Sequence, residues 1–130
     1  MKNSAIAWLA AAEDDLILIR EISSNQSLTH LVAFHAQQAI EKAFKAVIEQ
    51  HCDNVPRIHA LETLLPKVHP YVSFAVEFEL LEDLDKLYID ARYPGDFGLL
   101  PNGKPTLDDA AQFKELAEDV FTTISKALAG

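Results

Sequence analysis

The ten residues Phe34-His35-Ala36-Gln37-Gln38-Ala39-Ile40-Glu41-Lys42-Ala43 decide the fold of this 130-residue chain. Within and beyond them, apolar residues recur every three or four positions, which is the period of one face of a helix. The pattern predicts a long helix from about Leu28 to Gln50. Its inward stripe consists of Ala36, Ile40, Ala43 and Val47.

A second stripe lies on one flank of the predicted helix. It consists of His35, Ala39, Lys42 and Ala46. Its small alanine side chains allow another backbone to approach closely, either within the chain or from a second subunit. A third set is expected to face solvent, roughly opposite the core: Gln38, Lys45 and Glu49.

The same periodicity predicts four further helices. The first runs from about Ala5 to Ile22, and a short one lies near Ala60 to Lys67. A fourth begins at Ser73 as its N-cap and ends at Arg92-Tyr93-Pro94-Gly95, because the residue before a proline resists helical geometry. The last begins at Thr106 as its N-cap. No segment alternates convincingly with period two. We therefore expect a single domain over residues 1–130, an all-α, antiparallel up-and-down bundle of about five helices, four long and one short.

Two further expectations concern the fourth helix and the loop that follows it. Its inward seam is predicted to consist of Phe74, Phe78, Leu81, Leu84, Tyr88 and Ala91. The glycines and prolines from Asp96 to Pro105 predict a long irregular loop before the last helix.

Composition narrows the function classes. The formal net charge of −9 disfavours broad, sequence-independent binding of nucleic acid, although it leaves room for a local anion site or for a basic partner protein. The single cysteine, Cys52, excludes an internal disulfide and fits a reducing cytoplasm. No apolar run approaches the length of a membrane span. We expect a cytoplasmic protein that does not enter the membrane.

No metal or cofactor is expected from the motifs. The histidines at 30, 35, 51, 59 and 69 include no helical i, i+4 pair, and no Cys/His spacing of a zinc site is present. A phosphate-binding Walker loop, a glycine-rich dinucleotide fingerprint and a serine elbow are also missing. Adjacent acids such as Asp14-Asp15 diverge on a helix and are best interpreted as solvated.

The stretch from Phe34 to Ala46 resembles the signature helix of HEPN domains, the "higher eukaryotes and prokaryotes nucleotide-binding" family. Three further landmarks follow the order in which that family has them. They are Asp14-Asp15-Leu16, then Pro56-Arg57-Ile58-His59-Ala60-Leu61 with Leu64-Leu65, and finally Leu87-Tyr88-Ile89-Asp90-Ala91-Arg92-Tyr93-Pro94. The resemblance covers the chain from about Ala5 to Leu128.

This resemblance implies a helical bundle that is commonly homodimeric and often encoded beside a minimal nucleotidyltransferase, as in toxin–antitoxin modules. Many members of the family are metal-independent endoribonucleases in which an arginine is followed, after four to six residues, by a histidine. Here the corresponding positions after Arg92 are Phe97, Gly98 and Leu99. The chain resembles the Arg-Tyr-Pro subgroup instead, and no catalytic residue is predicted.

The candidate site is a nucleotide- or phosphate-binding groove lined by His35, Lys42, Arg92 and Tyr93. Weaker candidates are Gln38, Lys45 and His59. Each has a structural interpretation as well: His35 as a core or interface histidine, Lys42 as a surface lysine that snorkels, and Arg92 as a cation at a helix C-terminus. Arg92 in a groove would instead clamp a phosphate or carboxylate.

The leading hypothesis is a non-catalytic, dimeric HEPN module that binds a nucleotide or an RNA end and works with a nucleotidyltransferase. An alternative is a divergent ribonuclease toxin that uses Arg92 with His35 or His59. A further alternative is a scaffold whose acidic fourth helix binds a basic partner.

Overall fold

The computed structural model describes residues 1–91 and 104–130, and of Ala91 only the backbone. Five α-helices and one short 3-10 turn form this part of the protein. In chain order they are α1 (Asn3–Ile22), the 3-10 turn (Gln26–Leu28), α2 (Thr29–His51), α3 (Leu61–Val68), α4 (Phe78–Ala91) and α5 (Leu107–Ala129). No strand occurs in these two ranges. The prediction of an all-α bundle with four long helices and a short one is confirmed.

Helix α2 lies at the centre of the bundle and packs against each of the other four helices. Its predicted inward stripe is fully buried: Ala36, Ile40, Ala43 and Val47. The flanking Ala39 and Ala46 are buried as well. Because alanine adds little beyond the backbone, the neighbouring helices can approach α2 closely on more than one side.

Helices α1 and α2 run antiparallel. The backbone N–H of Lys2 donates to Oε1 of Gln50 at 2.7 Å, and Nζ of Lys2 donates to the carbonyl of Glu49 at 3.0 Å. The start of α1 therefore meets the end of α2. The register brings Asp15 of α1 opposite the middle of α2, where it contacts His35 and Lys42.

Helix α3 begins without a cap of its own, because Ala60 has no side-chain acceptor. The buried carboxylate of Asp85 on α4 takes that role: it accepts from the backbone N–H of Leu61 at 3.0 Å and of Glu62 at 3.2 Å. Burial raises the pKa of Asp85, although these two backbone hydrogen bonds oppose the rise. A carboxylate at a helix N-terminus also complements the helix dipole.

The predicted start of the fourth helix is wrong. Helix α4 begins at Phe78 rather than at Ser73, and Phe78 is 47% exposed instead of lying in the core seam. The segment 72–77 is not helical, and its residues alternate in burial, with Val72, Phe74 and Val76 turned towards the core. Two of these three are β-branched valines, which favour extended backbone. Leu81 and Leu84 are fully buried, as predicted.

Helix α5 begins as the sequence predicts. The Thr106 hydroxyl accepts from the N–H of Asp109 at 3.0 Å, and the Asp109 carboxylate accepts from the N–H of Thr106 at 2.9 Å. This reciprocal arrangement is a capping box. The predicted end of the fourth helix at residues 92–95, and residues 96–103 of the predicted loop, lie outside the described residues. None of the described helices is long and apolar enough to cross a membrane.

Candidate functional site: two carboxylate clusters on helix α2

Two of the predicted site residues meet at one carboxylate. Nδ1 of His35 lies 2.9 Å from Oδ1 of Asp15, and Nζ of Lys42 lies 2.7 Å from Oδ2 of the same side chain. His35 and Lys42 are seven residues apart on one flank of α2, as the helical pattern predicts, and Asp15 reaches them from α1. We call these three residues the Asp15 cluster.

The Asp15 cluster is open to solvent on its cationic side. The side chains of His35 and Lys42 are 22% and 26% exposed, whereas that of Asp15 is 10% exposed. Since a carboxylate only accepts hydrogen bonds, Nδ1 of His35 must be the donor, which leaves Nε2 for another partner. Nε2 of His35 and the partly exposed ammonium group of Lys42 are therefore the groups of this cluster that an anion could contact.

A row of four rings extends from this cluster across α2 and α4. His35 meets Phe34 edge-on at 5.2 Å between centroids, and Phe34 stacks on Tyr88 of α4 at 5.6 Å. The ring of His59, just before α3, lies 6.0 Å from that of Tyr88. We call this set the aromatic row. It connects His35 with His59, one of the weaker predicted candidates.

A second carboxylate cluster lies at the far end of the row. Glu41 accepts from Nζ of Lys45 at 2.9 Å and from Nδ1 of His59 at 3.2 Å. Nε2 of Gln37 donates to the carbonyl of His59 at 2.9 Å, which holds this turn against α2. We call Glu41, Lys45 and His59 the Glu41 cluster. The imidazole of His59 is 51% exposed, but the side chains of Glu41 and Lys45 are almost completely buried.

The prediction that Lys45 and Gln38 face solvent is wrong for Lys45 and only partly right for Gln38. The side chain of Lys45 is 6% exposed, because the ring of Trp8 from α1 covers it with the ammonium 5.5 Å from the ring centroid. Gln38 is half-buried, and its Nε2 donates to Oε1 of Gln37 at 2.8 Å. The face of α2 that was predicted to be exposed is thus partly covered, at Lys45 by Trp8 of α1.

Arg92 and Tyr93, the other two main candidates, lie outside the described residues. Of the predicted groove, the structure brings together His35 and Lys42. The sequence pattern does not single out Asp15 as a site residue, and the prediction of a solvated acidic pair is wrong for Asp15, which is buried. Only the register between α1 and α2 reveals its role. The pattern likewise does not identify Tyr88 as a neighbour of the site.

A shallow cleft of about 350 Å³ lies at the C-terminal end of α2. It contains none of the predicted site residues, and its lining consists of Ile48, Cys52, Asn54, Pro56, Lys67, Pro70 and Tyr71. Within residues 1–91 and 104–130, no group of three or more histidines, cysteines or acids could hold a metal ion.

The bundle and its polar clusters define a class, an all-α domain organised around one alanine-rich central helix. The sequence matches the family model of the HEPN domain over residues 5–127. The fold is similar to the crystal structure of TT1696 from Thermus thermophilus, with a TM-score of 0.75 and 25% sequence identity, over 97% of this chain and 99% of that one. No curated protein matches the sequence significantly. The chain belongs to the HEPN domain family.

Proposed function

We propose that this HEPN domain is a non-catalytic module that binds a nucleotide or an RNA end, with a phosphate group held between His35 and Lys42. The observation that carries the proposal is the Asp15 cluster. One nearly buried carboxylate binds both an imidazole and an ammonium group, and both of these side chains are partly exposed at the protein surface. These are the donor types that bind phosphate oxygens.

The charges of the cluster are compatible with an anion. Asp15 and Lys42 cancel, so a protonated His35 leaves one net positive charge beside the aromatic row. The rings of Phe34 and Tyr88 stack on each other beside His35 and are only half-buried. We propose that a base packs against this pair next to the bound phosphate.

Titration with AMP, followed by the backbone amide resonances of the protein, tests this proposal. We expect changes concentrated at His35, Lys42 and Tyr88, and at least a fivefold loss of affinity in Lys42→Met. Lys126→Met is the matched control, because it removes the same charge from an exposed position on α5 and should bind AMP like the wild type. The proposal fails if AMP at millimolar concentration leaves the amides around the Asp15 cluster unchanged.

The HEPN family resemblance extends the proposal to partners. We propose that the protein acts as a homodimer in the cytoplasm together with a minimal nucleotidyltransferase, in a toxin–antitoxin-like module. Co-expression with a minimal nucleotidyltransferase, followed by size-exclusion chromatography with light scattering, tests both the dimer and the pair. A monomer that elutes separately from that enzyme would refute this part alone.

One observation favours a second candidate, a divergent ribonuclease. The hydrogen bond from Nδ1 of His35 to Asp15 fixes the tautomer and orientation of the ring, which is how a carboxylate prepares a histidine for proton transfer. In that case RNA incubated with the protein is cleaved, His35→Asn abolishes the cleavage, and His69→Asn does not. Intact RNA after incubation with wild-type protein excludes this candidate.

A further inference from the structure

The cleft at the C-terminal end of α2 lies between the last turn of that helix, the segment 52–56 that follows it, and the end of α3 with its following turn. Four of the seven lining residues supply apolar surface: Ile48, Pro56, Pro70 and Tyr71. The other three are Cys52, Asn54 and Lys67. An apolar lining with a few polar groups is typical of sites for small molecules.

One wall of the cleft is held in place by its own contacts. The ring of Tyr71 lies parallel to that of His51, with 4.2 Å between the centroids and 2° between the planes. The hydroxyl of Tyr71 lies 4.0 Å from Sγ of Cys52, and its backbone N–H donates to the carbonyl of Val68 at 2.9 Å. Tyr71 nevertheless remains 45% exposed. This wall is therefore preformed and still open to a ligand.

The polar groups of the lining favour an anion. Although the chain has 20 acidic residues, none of the described residues that line the cleft is acidic. Lys67 forms no ion pair within residues 1–91 and 104–130. The amide of Asn54 adds N–H donors. A ligand with a negative charge and hydrogen-bond acceptors therefore suits this lining.

Neighbouring negative charge is offset or screened. The C-termini of α2 and α3 meet at the cleft, and a helix C-terminus carries about half a negative elementary charge. Lys2 offsets the end of α2, because its Nζ donates to the carbonyl of Glu49 at 3.0 Å. Lys67 lies in the last turn of α3, and its full charge exceeds the partial charge of that helix end. The carboxylate of Asp53 is exposed and does not line the cleft, so water and salt screen it.

We propose that this cleft binds a small carboxylic acid with an apolar or aromatic body. The carboxylate binds to Lys67, and the body packs between Tyr71 and the two prolines. An enclosed cavity of about 150 Å³ holds benzene, so a cleft of about 350 Å³ suits an acid of about ten to fifteen heavy atoms. For a ligand of that size at a shallow site, we expect a dissociation constant on the order of 1 mM.

The test compares 3-phenylpropionate with 3-phenylpropylamine, which have the same apolar body and opposite charges. The backbone amide resonances of the full chain follow both titrations, and changes are expected at residues 48–56 and 67–71. The acid should bind about fivefold more tightly than the amine, which is the upper end for an exposed ion pair. Lys67→Met should abolish this preference. Lys86→Met is the matched control, because it removes the same charge from an exposed position on α4 outside the cleft and should retain the preference.

Cys52 provides a second readout that requires no substitution. It is the sole cysteine of the chain and lines the cleft, so its alkylation by iodoacetamide reports on the occupancy of the site. A saturating concentration of 3-phenylpropionate should slow this alkylation severalfold, and the amine at the same concentration should slow it less. A purely structural role of Lys67 at the end of α3 would not produce this protection. Circular dichroism verifies that both variants are folded.

Several results would overturn the proposal. Equal binding of the acid and the amine is one, and a preference for the acid that persists in Lys67→Met is another. Alkylation of Cys52 that the acid does not slow, or the absence of any resonance change at about 10 mM acid, also overturns it. None of these results affects the proposed binding of AMP, because the cleft and the Asp15 cluster share no residue.

Discussion

The Asp15 cluster and the Glu41 cluster have the same three kinds of side chain and share helix α2, yet they differ in burial. Lys42 and Lys45 are only three positions apart on this helix. Lys42 remains open to solvent, whereas Trp8 covers Lys45. The comparison shows that the residue types in a cluster do not by themselves determine what each lysine does. Burial of the ammonium group decides whether a lysine is available to a ligand or committed to the fold.

The energetic consequences of the two ion pairs differ for the same reason. A partly exposed pair contributes little, because water and salt screen it. Removing one member of a buried pair leaves an uncompensated charge in a medium of low polarity, which is strongly destabilising. The following predictions test this contrast, from the largest effect to the smallest.

Lys45→Met is expected to lower the free energy of unfolding by about 3–5 kcal/mol, because it leaves the buried carboxylate of Glu41 without its lysine. Lys42→Met removes the same charge three residues earlier and is expected to cost less than about 1 kcal/mol, because Lys42 and His35 are partly exposed and water can replace the lost ammonium group beside Asp15. Urea unfolding followed by circular dichroism measures both. Equal losses in the two variants would contradict the contrast between the clusters.

The double variant Glu41→Leu with Lys45→Met should be more stable than Lys45→Met alone by about 2 kcal/mol, because it removes both buried charges together. Apolar side chains of similar volume can then fill the space beneath Trp8. The same urea series completes the double-mutant cycle. Additive losses from the two single substitutions would show that Glu41 and Lys45 are not coupled.

Asp85→Ala should destabilise the protein by about 1–2 kcal/mol, because α3 loses the acceptor for its first backbone N–H groups. Asp85→Asn retains an acceptor oxygen and should lose less. Like the Glu41 cluster, this contact joins the start of α3 to a neighbouring helix. The two Asp85 variants therefore measure how much that junction contributes to stability while the ion pair of Glu41 and Lys45 remains intact.

The pH dependence of the Asp85 contribution follows from the direction of its pKa shift. Burial raises the pKa of Asp85 in the folded protein, so the folded state holds this proton more tightly than the unfolded chain does. The resulting stability is present below the ordinary pKa of an aspartate and is lost as the pH rises through the folded-state value. Relative to Asp85→Asn, the wild type should therefore gain stability as the pH falls from 7 towards 4. A constant difference would contradict the raised pKa.

Asp15→Asn gives the smallest expected effect, a loss of less than about 1 kcal/mol, because its two partners are partly exposed. The amide can still accept a hydrogen bond from one of them. Thermal unfolding at low and high salt measures this loss and should show it shrinking as salt is added. A loss of stability as large as that of Lys45→Met would contradict the prediction and show that the Asp15 cluster stabilises the fold as strongly as the Glu41 cluster does.

Much of the bundle can be predicted from local patterns. The stripe of Ala36, Ile40, Ala43 and Val47 identifies the central helix, and Thr106 with Asp109 fixes the start of α5. The start of α4 could not be predicted by helical spacing, because Val72, Phe74 and Val76 fit a two-residue period as well. Tertiary contact decided between the two periods.

The geometry of the candidate site could be predicted only where it lies on one helix. The spacing of His35 and Lys42 on α2 places them on a common flank, and the structure brings them together. Their shared carboxylate comes from α1 and the cover over Lys45 from Trp8, so both depend on the register between two helices. A pattern within one segment contains no information on that register.

The position of Trp8 also gives the protein a built-in optical probe. It is the sole tryptophan of the chain, and its ring lies over the ammonium of Lys45, so its emission reports on one side chain and one helix contact. Separation of α1 from α2 would move the indole into water and shift its emission to longer wavelength. Stopped-flow fluorescence can therefore follow the docking of α1 onto α2 without any attached dye.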